Sequence, residues 1–276
     1  MSGYPETVRL QRTRGFGRTL SPSELWRYRD VAAQIAWRDV KVRYRQTVLG
    51  AAWAILQPVG TMVVFTIFFG HLAHVRGEGG SYALSALAAL VPWTYFQNAL
   101  MTGSDSLISN VALVSKIYFP RIFIPAGVAA AGLVDLVVGS ALLLVVVGAY
   151  GRAPSVGVAM LPVFALISAA TALGVSSAAS ALSVRYRDVR FVVPFAVQLW
   201  LFVSPVAYPD SIVPEPWRTV YALNPMVGVI EGYRWAALGT PAPWASIAIS
   251  AGAALVLLVA GLVYFERAER NFADVL

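Results

Sequence analysis

The feature that most constrains this chain is the recurrence of uncharged apolar stretches long enough to cross a bilayer. About 20 helical residues, each rising 1.5 Å, span the ~30 Å hydrocarbon core. Six stretches approach or exceed that length: Val48 to Gly70, Tyr82 to Gly103, Ile122 to Tyr150, Val156 to Leu182, Phe191 to Tyr208 and Trp244 to Phe265. The third carries one charge, Asp135. Charged residues make up only 13% of the chain and hydrophobic ones 58%, whereas a soluble domain is roughly 25% charged. The expectation is an all-α integral membrane protein with six transmembrane helices.

An even number of crossings puts both termini on one side, and the distribution of Arg and Lys says which. Ten lie before Gln46, two at Lys116 and Arg121, three at Arg185, Arg187 and Arg190, and two at Arg267 and Arg270. The opposite side holds four: Arg76, Arg152, Arg218 and Arg234. Both termini are therefore expected in the cytoplasm. The net charge of +7 is then mostly a matter of topology, and nucleic acid is not an expected partner, because no separate soluble fold presents the basic residues. The first 46 residues lack the apolar core of a cleavable signal peptide, and the absence of cysteine excludes a disulfide framework and thiolate metal sites.

Residues 1–20 read as a cytoplasmic segment and 21–46 as an amphipathic interface helix, leaving 47–276 as the transmembrane domain. Ser21, Pro22 and Glu24 form a capping box for that helix. From there Arg27, Asp30, Gln34, Arg38, Lys41 and Arg45 recur at three and four residue spacing, with Trp26 and Trp37 near the edges of the polar face. Such a helix can lie on lipid or dock a cytoplasmic partner. Two further segments on the same side, "LVSKIYFPR" (113–121) and "VRYRDVR" (184–190), mix aromatics, arginines and Asp188. Bidentate guanidinium donors beside a carboxylate suit a protein groove better than a headgroup layer, so the three elements read as a socket. Between Asp210 and Arg234 the prolines Pro214, Pro216 and Pro225 punctuate one or two short helices at the outer surface.

The segments "RDVKVRYRQTVLGAAWAILQP", "LVPWTYFQNAL", "LVSKIYFPR", "VRYRDV", "LFVSPVAYP", "LNPM" and "FERAERNFADVL", in this order from Arg38 to the last residue, resemble the permease subunit of type 2 ABC exporters of the O-antigen and teichoic-acid polysaccharide family. The chain departs from that pattern at Ala89, where a glycine is expected before "LVPW", and in "HLAHVRGEGGS", which lacks a proline near Tyr82. The resemblance implies a homodimer flanking a continuous channel in the cytoplasmic (inner) membrane of a bacterium. Two ABC ATPase subunits would bind ATP and Mg below it, and a lipid-linked polysaccharide would be the cargo. It implies an ATPase interface at Arg38, Asp39, Lys41, Arg43, Tyr44 and Arg45, at Lys116, Tyr118 and Arg121, and at Arg185, Arg187 and Asp188. It also implies outer gate helices, here with Trp217, Tyr221, Asn224 and Pro225.

Given that family, the aromatics Trp53, Phe65, Phe68, Tyr95, Phe96, Trp200, Phe202 and Tyr208 are candidates for sugar contact in the channel, against the alternatives of packing or an interfacial belt. The only lysines, Lys41 and Lys116, do not follow a glycine, so there is no Walker lysine and the chain is expected to be a transport subunit rather than an enzyme. Asp135 in mid-span must be paired or face water. A lone carboxylate makes a poor proton relay, and a hydrogen-bonded structural role is the stronger expectation. His71 and His74 with Glu78 fall short of a closed metal site, and Asp210, Glu215 and Glu231 form no recognisable hydrolase set. The rival readings are a drug or small-molecule exporter of the same architecture, a proton-coupled transporter centred on Asp135 and a non-transporting scaffold.

Overall fold

The computed structural model describes residues 22–45, 52–75, 77–116, 119–153, 155–270 and 272, and every regular element among them is helical. Residues 1–20 and the Ser21 cap lie outside the described residues. The expected interface helix is two helices, α1 (Pro22–Arg27) and α2 (Arg29–Arg45), separated by a turn at Tyr28.

Helices stand at all six expected span positions. The first is α3 (Trp53–Phe65), which continues as a widened π turn over Thr66–Leu72. The others are α4 (Tyr82–Ser109), α6 (Phe123–Ala149), α7 (Leu161–Arg185), α8 (Val189–Phe202) and α11 (Trp244–Glu269). A short helix, α5 (Val111–Lys116), follows α4, and α9 (Glu215–Tyr221) and α10 (Pro225–Leu238) fill the connection before α11. Among the described residues, four segments are long and apolar enough to cross a membrane: Trp53–Leu72, Phe123–Ala149, Val156–Arg185 and Trp244–Glu269. The chain is an integral membrane protein.

The other two helices depart from the expected spans for different reasons. α4 is long, but Thr102, Ser104, Asp105, Ser106 and Ser109 make its last third polar. It packs on α3, α6, α7, α8 and α10, so most of its surface meets protein instead of lipid. The expected fifth span is helical only to Phe202, and its last six residues turn, with the Val206 amide donating to the Ser204 carbonyl at 2.7 Å.

Lipid tails are as apolar as leucine, so membrane helices associate through close packing of small residues. α7 and α11 touch at Gly174 and Gly261, where a Cβ on Gly261 would lie 1.9 Å from the Gly174 carbonyl oxygen. The serines that make α7 polar on paper are buried, and Ser180 and Ser183 donate to carbonyls one turn back.

The larger core gathers Leu90, Trp93, Phe96, Phe164, Met226 and Tyr233. A smaller one joins Ile35 of α2 to Leu107, Phe119, Ile124, Phe265 and Phe272. This second core brings α2, the end of α4, the start of α6 and the end of α11 to one pole. The described parts of the segments expected to be basic and cytoplasmic thus share one end of the bundle, and α9 and α10 occupy the other.

Candidate functional site

At the basic pole, the alternation of side chains around α2 divides the expected interface residues. Gln34, Trp37, Arg38, Lys41, Val42 and Arg45 line an outward groove. Arg38 grips its neighbour Asp39 through Nε and Nη2 at 3.0 and 2.7 Å, and Lys41 lies 5.4 Å from the Trp37 ring centre. On the opposite face Ile35 packs where a Cβ on Gly127 would meet its Cγ2 at 2.8 Å, which lets α2 seat directly on α6.

Arg43 and Tyr44 do not share the outward groove. The Arg43 Nη1 donates to Asp135 Oδ2 and the Tyr44 hydroxyl donates to Asp135 Oδ1. Both carboxylate oxygens in the third span are thereby held by the last turn of the interface helix. The side chains of Arg43 and Asp135 are 26% and 21% exposed, so the pair is only partly withdrawn from solvent. The expected hydrogen-bonded role of Asp135 is what the geometry displays, with partners that sequence reading had placed elsewhere.

Of the other expected interface residues, Tyr118 and the Lys116 side chain lie outside the described residues. Arg121 turns toward the C-terminal segment, its backbone N–H donating to Glu269 Oε1 at 3.4 Å and its guanidinium 5.7 Å from the Phe272 ring. Arg185 lines a cleft with Tyr264, Arg267 and Phe272. Arg187 and Asp188 are exposed in the turn between α7 and α8.

The candidate channel aromatics fall into two sets. Trp53, Phe68 and Phe202 are exposed on the single chain, and Phe65 stacks edge-on against Phe69 at 5.4 Å. Phe96 is fully buried and packs edge-on against Trp200 at 5.0 Å. Trp200 donates through Nε1 to Asn224 Oδ1 at 2.9 Å, and the Tyr95 hydroxyl to the Ala129 carbonyl at 3.1 Å. Phe96 and Trp200 therefore act here as packing groups. The Tyr208 hydroxyl donates to the Phe202 carbonyl at 2.7 Å and accepts from Tyr221 at 3.3 Å.

Between α2, α3, α4 and α6 lies a cavity of about 260 Å³. Its walls include Arg43, Tyr44, Trp53, Gln57, Asn98 and Asp135. Gln57 and Asn98 are uncharged amides inside apolar stretches, and the sequence reading passed over them.

At the other pole, Asn224 caps α10 by accepting from the Met226 N–H at 3.1 Å, with Pro225 as the first helical residue. Trp217 of α9 is exposed. Arg234, counted from sequence as an outer-loop charge, is instead buried. It donates to Glu231 Oε1 at 2.6 Å and to the Pro205 carbonyl at 2.7 Å. Glu78, Asp210 and Glu231, from three separate segments, bring carboxylate oxygens within 4.8 Å of one another. Burial, reinforced by Glu78 and Asp210 and opposed by Arg234, pushes the Glu231 carboxyl up to about 8. The His71 and His74 ring Nδ1 atoms lie 3.0 and 3.1 Å from the Thr66 and Leu72 carbonyl oxygens.

Over residues 32–238 the sequence matches the family described as ABC-2 type transporter. The chain belongs to that family. The chain is 30% identical over 254 residues to the O-antigen export system permease protein RfbA of Myxococcus xanthus, covering 91% of this chain and 97% of that protein. A permease of the same name from Klebsiella pneumoniae is 26% identical over 90% of this chain and 95% of its own length. The polysialic acid transport protein KpsM of Escherichia coli is 23% identical over 84% and 91%. The ABC-2 family match includes α2 from Ala32 onward, the cavity and α10, and it makes the chain a transport component of the membrane.

Proposed function

We propose that this ABC-2 protein is the channel-forming subunit of an ATP-driven exporter that moves lipid-linked polysaccharide out across the cytoplasmic membrane of a bacterium. The observation that carries this reading is the end-to-end similarity to the O-antigen export permease, 91% of one chain against 97% of the other. In the proposed topology the polypeptide crosses six times, with α4 as a protein-facing span, α8 as a short and largely exposed one, and both termini in the cytoplasm. Two copies flank the channel. Two ATPase subunits, which hold ATP and Mg, dock on the groove of α2 and on the Arg185 to Asp188 turn.

ATP-driven closure of the motor would push on α2, and the Asp135 clasp would pass that displacement to the third span as one rigid unit with two arrangements. α9 and α10 would then respond as the outer gate. The occupied oxygens of Asp135 favour this mechanical role over a proton relay.

ATPase activity of the complex in nanodiscs, measured with lipid-linked polysaccharide from the source cells and with a panel of apolar drugs, tests the reading. Stimulation by the glycan lipid alone is expected. Stimulation by drugs alone would replace it with the small-molecule exporter.

A further inference from the structure

The cavity between α2, α3, α4 and α6 holds more hydrogen-bonding capacity than the chain uses. Gln57 accepts from Asn98 at 3.3 Å through Oε1. Within the chain, among the described residues, that leaves Gln57 Nε2, Asn98 Oδ1 and the hydroxyls of Thr94 and Thr102 without a side-chain hydrogen bond, and all four residues line the cavity. Gln57 and Thr102 are exposed and Thr94 and Asn98 half-buried on the single chain, so these donors and acceptors are open to a polar occupant of the cavity.

The lining also says what kind. The charges at the cavity are Arg43 and Asp135, and each neutralises the other, so an anionic headgroup finds no net positive field. Amides and hydroxyls match a ligand rich in neutral hydroxyls. Trp53, 55% exposed and part of the same wall, adds a flat apolar face for the C–H side of a sugar ring, a surface that water alone would not require. At about 260 Å³ the space lies just below the ~300–1,000 Å³ of small-molecule sites, which suits one ring and not an extended chain.

We propose that this cavity binds a single neutral sugar unit of the transported glycan. The proposal rests on the polysaccharide reading above and adds the site. Because Arg43 and Tyr44 form one wall, an occupied cavity lies directly against the helix assigned to motor docking, and glycan binding would stiffen the α2 to α6 contact that the motor pushes on.

The test uses the permease and ATPase complex in nanodiscs, unmodified and carrying Gln57→Leu with Asn98→Leu. Two probes are titrated: the lipid-linked polysaccharide, read by ATPase stimulation, and the neutral oligosaccharide released from it by mild acid, read by saturation-transfer NMR. Thermal unfolding checks the fold of the variant, and Trp53→Leu, at an exposed position, serves if the double variant does not assemble. The expected result is a half-maximal glycan concentration raised about tenfold or more, with the oligosaccharide signal lost. An unchanged concentration and signal in a folded variant overturns the sugar site, as does binding of inorganic pyrophosphate in place of the oligosaccharide. Failure of the unmodified complex to respond to the lipid-linked polysaccharide overturns the transport reading instead, and oligosaccharide binding then decides the cavity by itself.

Discussion

Asp135 joins the interface helix to the membrane domain, and its replacement isolates that link. Asp135→Asn removes the charge that Arg43 faces while keeping an acceptor for Tyr44. The loss of a charged hydrogen bond should cost about 1.5–3 kcal/mol, toward the lower end because the pair is partly exposed. The variant should unfold at lower temperature and hydrolyse ATP with poorly coupled export, and transport should remain independent of a pH gradient. Export by the unmodified protein that requires a pH gradient and is abolished in Asp135→Asn would instead revive the proton relay. Glu231 predicts a pH dependence of the opposite pole. Its carboxyl is raised to about 8 in the folded protein from an ordinary value of 4.5. The stabilising contribution is therefore complete below about pH 4.5 and is lost as pH rises through about 8. The thermal midpoint should fall across that window, and Glu231→Gln should flatten the slope. That Asp135 needs a partner was readable from its isolation in an apolar run. The identity of the partner was not, because Arg43 and Tyr44 are distant in sequence and look like two more members of a basic face.

At the scale of the helix, the contact between α7 and α11 depends on two backbones meeting. Gly261→Leu places a side chain where no space exists, and monodisperse protein on size exclusion should be lost, whereas Gly252→Leu, with nothing within 4 Å of its Cβ position, should be tolerated. The turn between α7 and α8 presents Arg187 and Asp188 to solvent. Arg187→Ala or Asp188→Ala should leave the fold intact and uncouple ATP hydrolysis from export, measured as glycan exported per ATP consumed; an unchanged ratio would remove these residues from the docking surface. Periodicity and charge made the helical positions legible, since they report directly on the solvent each residue meets. They were less informative where protein replaces lipid, as along the polar end of α4, and where a helix stops short in turns, as α8 does at Phe202.

For the whole molecule, the alternation of basic connections predicts that the socket segments share one side, because charge cost in the bilayer sorts entire connections, and their described parts gather around Ile35, Leu113, Phe119 and Val184. The gathering of Glu78, Asp210 and Glu231 was illegible, since each comes from a different connection and only the packed bundle brings them together. The cavity was half legible: Trp53 and Tyr95 stood out as aromatics, while Gln57 and Asn98 draw attention only once α3 and α4 pack side by side. The central proposal is directional transport, and it is tested most directly in sealed proteoliposomes containing the permease, its ATPase partner and fluorescent lipid-linked polysaccharide, with a lectin added on the face away from the motor. ATP should make the glycan accessible to the lectin, and a non-hydrolysable analogue should not; glycan that stays inaccessible with ATP, in vesicles shown to hydrolyse it, would contradict export by this chain.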